Sequence, residues 1–328
     1  MKQTILLFLL VLAACTREQG PASPIAIILD PQGSFATRAG DPDDTRITDY
    51  NLYIFNAFGV LEERVFVPAR SLRLVDGKVQ YRTTLLRDVP YTLVAAANLG
   101  YELPFRTLEE AREYRYHMAY PDEYSQGLPM VAFREGMTPG NDGVLEVPLE
   151  RLMARIELKI DRSRLLSNIE FKVTDVKIGA CPSSVQLAGP SRISGKQESF
   201  SRGYAKTGME VSALNEGSGD GMSRSIYVYL LENCQGDLLE NVQTDSGKVF
   251  TDGTYQDICS YIEIKAEYHS PSHHTGVGDR LVYRFYLGEN RNNFDVVRNT
   301  WYRITVCPTG DGLSEDSWRV NKAALTDF

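Results

Sequence analysis

The sequence predicts an all-β protein of two tandem antiparallel β-sandwich domains, with one short helix in the first. Three observations carry this reading. Apolar and polar residues alternate in run after run, which is the period of a half-buried strand. Gly, Asn, Asp and Pro cluster between the runs, and no helical segments recur at the spacing a parallel βαβ fold needs. The 328 residues, 43% hydrophobic and 24% charged, suffice for about two domains with cores of their own.

The first strand is the run Pro24–Pro31, PIAIILDP, in which Ile25, Ile27 and Leu29 fall on one face of an extended chain. Its bracketing prolines argue against a helix and for a short edge strand. Burying three aliphatic side chains is worth about 4 to 9 kcal/mol before entropy costs. The loop that follows, Gln32–Thr45, is rich in Gly, Asp, Pro, Ser and Thr, and should be solvated and accessible, with Arg38 in its middle. A strand tied to its domain by a cleavable loop can leave without unfolding the rest, and its empty groove is then an unpaired edge that needs a new strand.

From Ile47 onward the pattern stays β. Asn51–Phe55 reads as a strand, Asn56–Gly59 as a turn, and Val60–Val67 as its partner. Leu72 and Leu74 alternate up to Asp76-Gly77, and Val79 and Tyr81 alternate away from it, a hairpin signal. Tyr91–Ala97 is a further apolar strand. Thr107-Leu108-Glu109-Glu110 offers a capping box ahead of the one expected helix. After the loop Gly136–Gly143, the stretch Val144–Ile160 alternates most regularly, with Leu152, Ala154, Ile156, Leu158 and Ile160 on one face and Arg151, Met153, Arg155, Glu157 and Lys159 on the other. Pro148 should break the ladder there, so the first domain is expected over 24–148 and the second over 149–328. The second domain's strands are expected around Phe171, Ile226–Leu231, Ile262–Ala266, Leu281–Leu287 and Trp301–Val306.

Lys2 followed by Ile5–Leu12 has the charged start and short apolar centre of a secretory signal, too short to span a bilayer as a mature helix. It ends Leu12-Ala13-Ala14-Cys15, which resembles the lipobox of bacterial lipoproteins. Residues 1–14 are then the signal, Cys15 carries the acyl chains and residues 15–23 are a lipidated tether. Several chains together give stable anchoring in the outer membrane. Thr16–Gln19 loosely resembles a surface-export signal.

A net charge of -8 without a Lys/Arg block excludes nucleic acid as a partner. No GxSxG, HExxH, SxxK or phosphate-loop motif occurs, so no catalytic site and no cofactor are expected. His269, His273 and His274 with Asp279 read as a solvated turn rather than a metal site, and Asp41–Asp44 lacks calcium-loop spacing. Cys181, Cys234, Cys259 and Cys307 allow one or two disulfides or single buried thiols. Tyr114, Tyr116, Tyr120 and Tyr124, among 18 tyrosines, suggest the alternative of a surface lipoprotein that binds glycans without polymerising.

The ordered set of pieces resembles the fimbrillin family, lipoprotein precursors of type V pili in anaerobic Gram-negative bacteria. The pieces are the lipobox at Cys15, PIAIILD…ATRAG, ITDYNLYIFNAFGVLEE, YTLVAAANLG, LERLMARIELKI, YVYLLENCQG and FYLGENRNNFDVVRNTWYRITV. The resemblance implies two transthyretin-like β-sandwiches, delivery to the outer membrane and a place in a surface fimbrium. It also implies cleavage between Arg38 and Ala39 by a trypsin-like, Arg-specific protease, loss of the strand bearing Ile25, Ile27 and Leu29, and assembly with other pilus subunits by strand exchange. A host or bacterial surface ligand would suit an adhesive subunit. After Cys307, only Trp318 and Val320 alternate clearly before Lys322, a poor donor strand, which favours a minor subunit at one end of the fibre: the tip if Arg38 is cut, a basal anchor if it is not.

Overall fold

The computed structural model describes residues 21–31, 45–122, 124, 126–190, 199–217, 219, 221–244, 247–250, 253, 255–271, 280–313 and 318–325. The first half contains β1 (Ala22–Pro31), β2 (Tyr50–Phe55), β3 (Leu61–Val67), β4 (Leu74–Val75), β5 (Lys78–Leu86) and β6 (Tyr91–Ala97). Helix α1 (Leu108–Glu113), β7 (Arg115–His117), β8 (Met130–Met137) and β9 (Val144–Arg151) follow. The second half begins with β10 (Met153–Ile160), β11 (Glu170–Gly179), β12 (Cys181–Pro182), β13 (Ser184–Gln186), β14 (Phe200–Ser201) and β15 (Tyr204–Thr207). It continues with β16 (Ile226–Leu231), β17 (Tyr261–His269), β18 (Arg280–Tyr286), β19 (Trp301–Pro308) and β20 (Trp318–Leu325).

The local signals act where the sequence places them. Asp76 and Gly77 both take positive φ, 50° and 77°, as a two-residue hairpin turn between β4 and β5 requires. Asn56 caps the turn from β2 to β3, its side-chain oxygen accepting from the backbone N–H groups of Phe58 and Val60. Thr107 and Glu110 form the reciprocal capping box of α1.

Eight strands of the first half form one sheet in the order β3-β2-β6-β8-β9-β1-β5-β4. Strand β9 turns its corner: residues 144–149 run parallel to β1, whereas Glu150 and Arg151 pair with β8. The sheet thereby folds over into two layers around a shared core. Leu52, Ile54, Leu93 and Ala95 come from one layer, and Ile25, Ile27, Val79 and Val147 from the other. From Met153 onward, the sheets β16-β10-β19-β20 and β15-β11-β17-β18 enclose a second core that includes Ile156, Val228, Ile304, Ile178 and Ile264. The strand pairing is antiparallel throughout except for β1 with β9 and β10 with β19.

A third core joins the halves. Tyr53, Phe55, Val94 and Phe105 pack in one cluster with Leu152, Met153, Val185 and Tyr229. Here β7 of the first half pairs with β13 of the second. Beneath it lies a buried ion pair, Arg298 with Glu232 at 2.7 Å, whose guanidinium also donates to the carbonyls of Gln186 and Leu187.

The expectations for β1 and Pro148 are corrected. Strand β1 is interior, not an edge. Its prolines are tolerated because each meets one neighbour only: Pro24 lies opposite Thr84 before the β9 ladder starts at Ala26, and Pro31 lies opposite Leu149 beyond the β5 register, which ends at Leu29. Pro148 likewise breaks nothing, because the β8 side of β9 is paired only from Glu150, so β9 runs through it and ends at Arg151, next to Leu152. Arg151, Arg155 and Glu157, on the face opposite Leu152, Ala154 and Ile156, are also buried, at 1%, 0% and 6% exposure. Arg155 lies 4.0 Å from the ring centroid of Tyr227 and 5.0 Å from that of Trp301. Strand β20, antiparallel to β19 along its whole length, extends well past the two residues that alternate clearly.

Candidate functional site

Strand β1 lies in a channel between β9 on one side and β5 on the other. Ala22–Leu29 pair antiparallel with Val79–Leu86, and Ala26–Pro31 pair parallel with Val144–Leu149. Ile25, Ile27 and Leu29 point inward and are at most 1% exposed, while Ala26, Ile28 and Asp30 on the opposite face are half-buried. The alternation read from the sequence is thus the alternation of the slot. Gly143, at φ 66°, closes the entrance: the N–H of Ala26 donates to its carbonyl at 2.8 Å, and an added Cβ would come within 3.1 Å of the Pro24 carbonyl.

Two polar fixtures flank the slot, and neither was legible beforehand. At its carboxyl end the ammonium of Lys78 donates to Asp30 at 2.6 Å, and this hydrogen bond holds Lys78 above its ordinary pKa. On the β5 wall the hydroxyls of Tyr81 and Thr83 donate to the two carboxylate oxygens of Glu63 on β3, the latter at 2.6 Å. Burial, then the Glu63 carboxylate, push the Tyr81 phenol well above its usual range. These bonds tie β5 to the facing layer. Without β1, β5 keeps only β4 as a sheet neighbour, and the tie to Glu63, with the bond from the Leu86 N–H to the Tyr91 hydroxyl, links it to the rest of the sandwich.

The domain of unknown function DUF4906 matches residues 228–306, from β16 to β19. No curated protein matches the sequence. Solved structures match nearly the whole chain. A fimbrilin from Porphyromonas gingivalis superposes with a TM-score of 0.57 at 15% identity, covering 92% of this chain and 96% of that one. The tip fimbrial protein Mfa3 of the same organism, with a C-terminal truncation, gives 0.55 at 12%, covering 92% and 99%. A fimbrial assembly protein from Parabacteroides distasonis gives 0.51 at 13%, covering 92% and 99%. The chain has the fold of fimbrial proteins.

On this fimbrial fold the remaining candidates fall as follows. Cys15, Arg38 and Ala39 lie outside the described residues, as do His273, His274 and Asp279; His269 is exposed at the end of β17. Among the described residues no group of three or more His, Cys, Asp or Glu side chains could hold a metal ion, and no helix is long and apolar enough to cross a membrane. Cys181, Cys234, Cys259 and Cys307 are free thiols rather than disulfide partners. Burial pushes the first three up to about 12, so they are protonated and unreactive at neutral pH.

The tyrosines proposed as a glycan platform do not form one. Tyr114 and Tyr124 pack against Phe105 and Tyr229, Tyr116 is buried, and only Tyr120 is well exposed. An open cavity of about 830 Å³ does lie nearby, lined in part by Tyr101, Tyr116, His117, Arg70 and Asp49. Its floor is fixed. Asn98, at φ 62°, accepts from Thr48 and donates to the carbonyls of Arg46 and Leu128, and Asp49 accepts from the N–H groups of Leu99 and Gly100. Burial outweighs those bonds and raises the Asp49 pKa.

Proposed function

We propose that this chain is a structural or adhesive subunit of a surface pilus, exported as a lipoprotein through Cys15 and assembled by strand exchange after cleavage between Arg38 and Ala39. The observation that carries the reading is the slot of β1: the first described strand fills a channel lined for Ile25, Ile27 and Leu29 and joins the rest of the chain through residues 32–44. The fold shared with a fimbrilin, a tip fimbrial protein and a fimbrial assembly protein supports it. A vacated channel would expose two unpaired strand edges and an apolar floor, and an incoming strand supplies both ladders and the side chains. The pairing of β20 with its own β19 favours a minor, terminal subunit, since that strand is already engaged.

Amino-terminal sequencing of the protein recovered from mature surface fibres tests the scheme. A start at Ala39 is expected. A start at Cys15 overturns removal of the strand, and absence from fibres overturns the pilus role. The second reading, a lipoprotein that binds glycans without polymerising, draws on the cavity beside Tyr101 and Tyr116; saturable glycan binding by a protein that stays monomeric after trypsin treatment would favour it.

A further inference from the structure

We propose that the strand which replaces β1 comes from a different chain and carries three aliphatic side chains at alternate positions followed at once by a carboxylate, lying parallel to β9 and antiparallel to β5. The inference rests on the strand-exchange reading above and names the chemistry of the partner.

The present occupant supplies the template. Ile25, Ile27 and Leu29 fill three successive inward positions between the buried Ser23 and Pro31, and the residue after Leu29, Asp30, meets Lys78 at 2.6 Å. Lys78 is the first residue after the tight turn of Asp76 and Gly77, so its backbone is set by the β4–β5 hairpin. When β1 leaves, an ammonium remains at the carboxyl end of the slot, one step beyond the third apolar site. An acid there completes the pair again; a cation meets like charge, which costs both affinity and encounter rate.

Apart from β1 itself, the described strands of the chain do not offer such a strand free to a second copy. Strand β20 reads Trp-Arg-Val-Asn-Lys-Ala-Ala-Leu, with no carboxylate and a lysine in its apolar alternation. The pattern of β1 does recur at Leu145, Val147, Leu149 and Glu150, at Ile156, Leu158, Ile160 and Asp161, and at Ile262, Ile264, Ala266 and Glu267, but β9, β10 and β17 are each held in ladders with those aliphatic side chains in the two cores. The complementary strand therefore comes from outside this copy's own ladders, from another chain.

A labelled peptide of residues 23–31 and its variants, added to full-length protein cut by trypsin after Arg38 and freed of β1, tests this by fluorescence anisotropy. The natural peptide should bind saturably, and the Ile27→Ser peptide should not. The Asp30→Lys peptide should bind about tenfold more weakly, with the gap shrinking in added salt. In Lys78→Glu protein the preference should reverse, and in Lys78→Gln protein it should vanish. Equal binding of the Asp30→Lys and natural peptides to wild-type protein, with Ile27→Ser excluded, overturns the carboxylate rule and leaves strand exchange standing. Tight binding of the Ile27→Ser peptide overturns the aliphatic rule. If the natural peptide fails to enter, or β1 cannot be released after the cut, strand exchange fails and the inference falls with it.

Discussion

Lys248 is buried at 4% exposure with its ammonium donating to the carbonyls of Leu287, Asn290 and Asn293 and lying 4.4 Å from the ring centroid of Phe294. It gathers the carbonyls of this turn, and Gly288, at φ 139°, leaves the room it needs. Lys248→Met keeps the stem but strands those carbonyls, so a loss of about 3 kcal/mol is expected in urea unfolding, with faster amide exchange over 287–293. Glu157 gives a pH signature. Burial alone would raise its pKa, but hydrogen bonds from Ser225 and Lys159, with the charges of Lys159 and Arg303, prevail and hold it below the ordinary 4.5. A depressed carboxylate adds stability above its unfolded pKa and loses it as pH falls through the lower folded value. The urea midpoint of Glu157→Gln should therefore trail wild type near neutrality and converge with it below about pH 4.5, as read by circular dichroism. The burial of Glu157, like that of Arg151 and Arg155, was illegible in the sequence. Alternation says which residues share a face, and a face of Arg, Met, Arg, Glu and Lys reads as solvated. It is covered by other parts of the chain, and no local pattern announces that contact.

The elements themselves were more legible, because their signals are local. Hairpin β4–β5 follows from Asp76-Gly77, α1 from its capping box, and the inward trio of β1 from simple period two. Position within a sheet was not legible: a proline marks a residue that donates no ladder bond, and an interior strand can host one wherever its two ladders are staggered, as at Pro24, Pro31 and Pro148. The interior place of β1 sets its energetics. Ile27→Ala in the uncut chain should cost about 2 to 5 kcal/mol by chemical denaturation, the range for a fully buried aliphatic truncation. Glu63→Gln should act differently. With β1 in place, the β5 ladder limits the damage; once β1 is gone, the Glu63 bonds to Tyr81 and Thr83 hold the β5 wall. The expected result is a modest stability change in the uncut protein and a marked fall in the rate at which cut protein accepts a strand peptide, measured by stopped-flow anisotropy.

At the scale of the molecule, the shared third core and the pairing of β7 with β13 make the halves unfold together, so a single cooperative transition is expected in calorimetry. Arg298→Met should lower stability by about 3 to 5 kcal/mol, because it leaves the Glu232 carboxylate buried without its guanidinium, and Arg298→Met with Glu232→Met should recover much of it. The all-β character was legible as two sets of alternating runs. Their junction was not, since it is built from Tyr53, Phe55, Tyr229 and a distant ion pair rather than from neighbours in sequence. The staggered double pairing of β1 also has a mechanical consequence. A tether pulling on Ala22 draws along the strand, so the bonds to Val79–Leu86 and to Val144–Leu149 are loaded in shear and must yield nearly together instead of peeling one at a time. A segment seated in that manner resists force far better than its ten residues would suggest, and a strand exchanged into the same seat would inherit the grip.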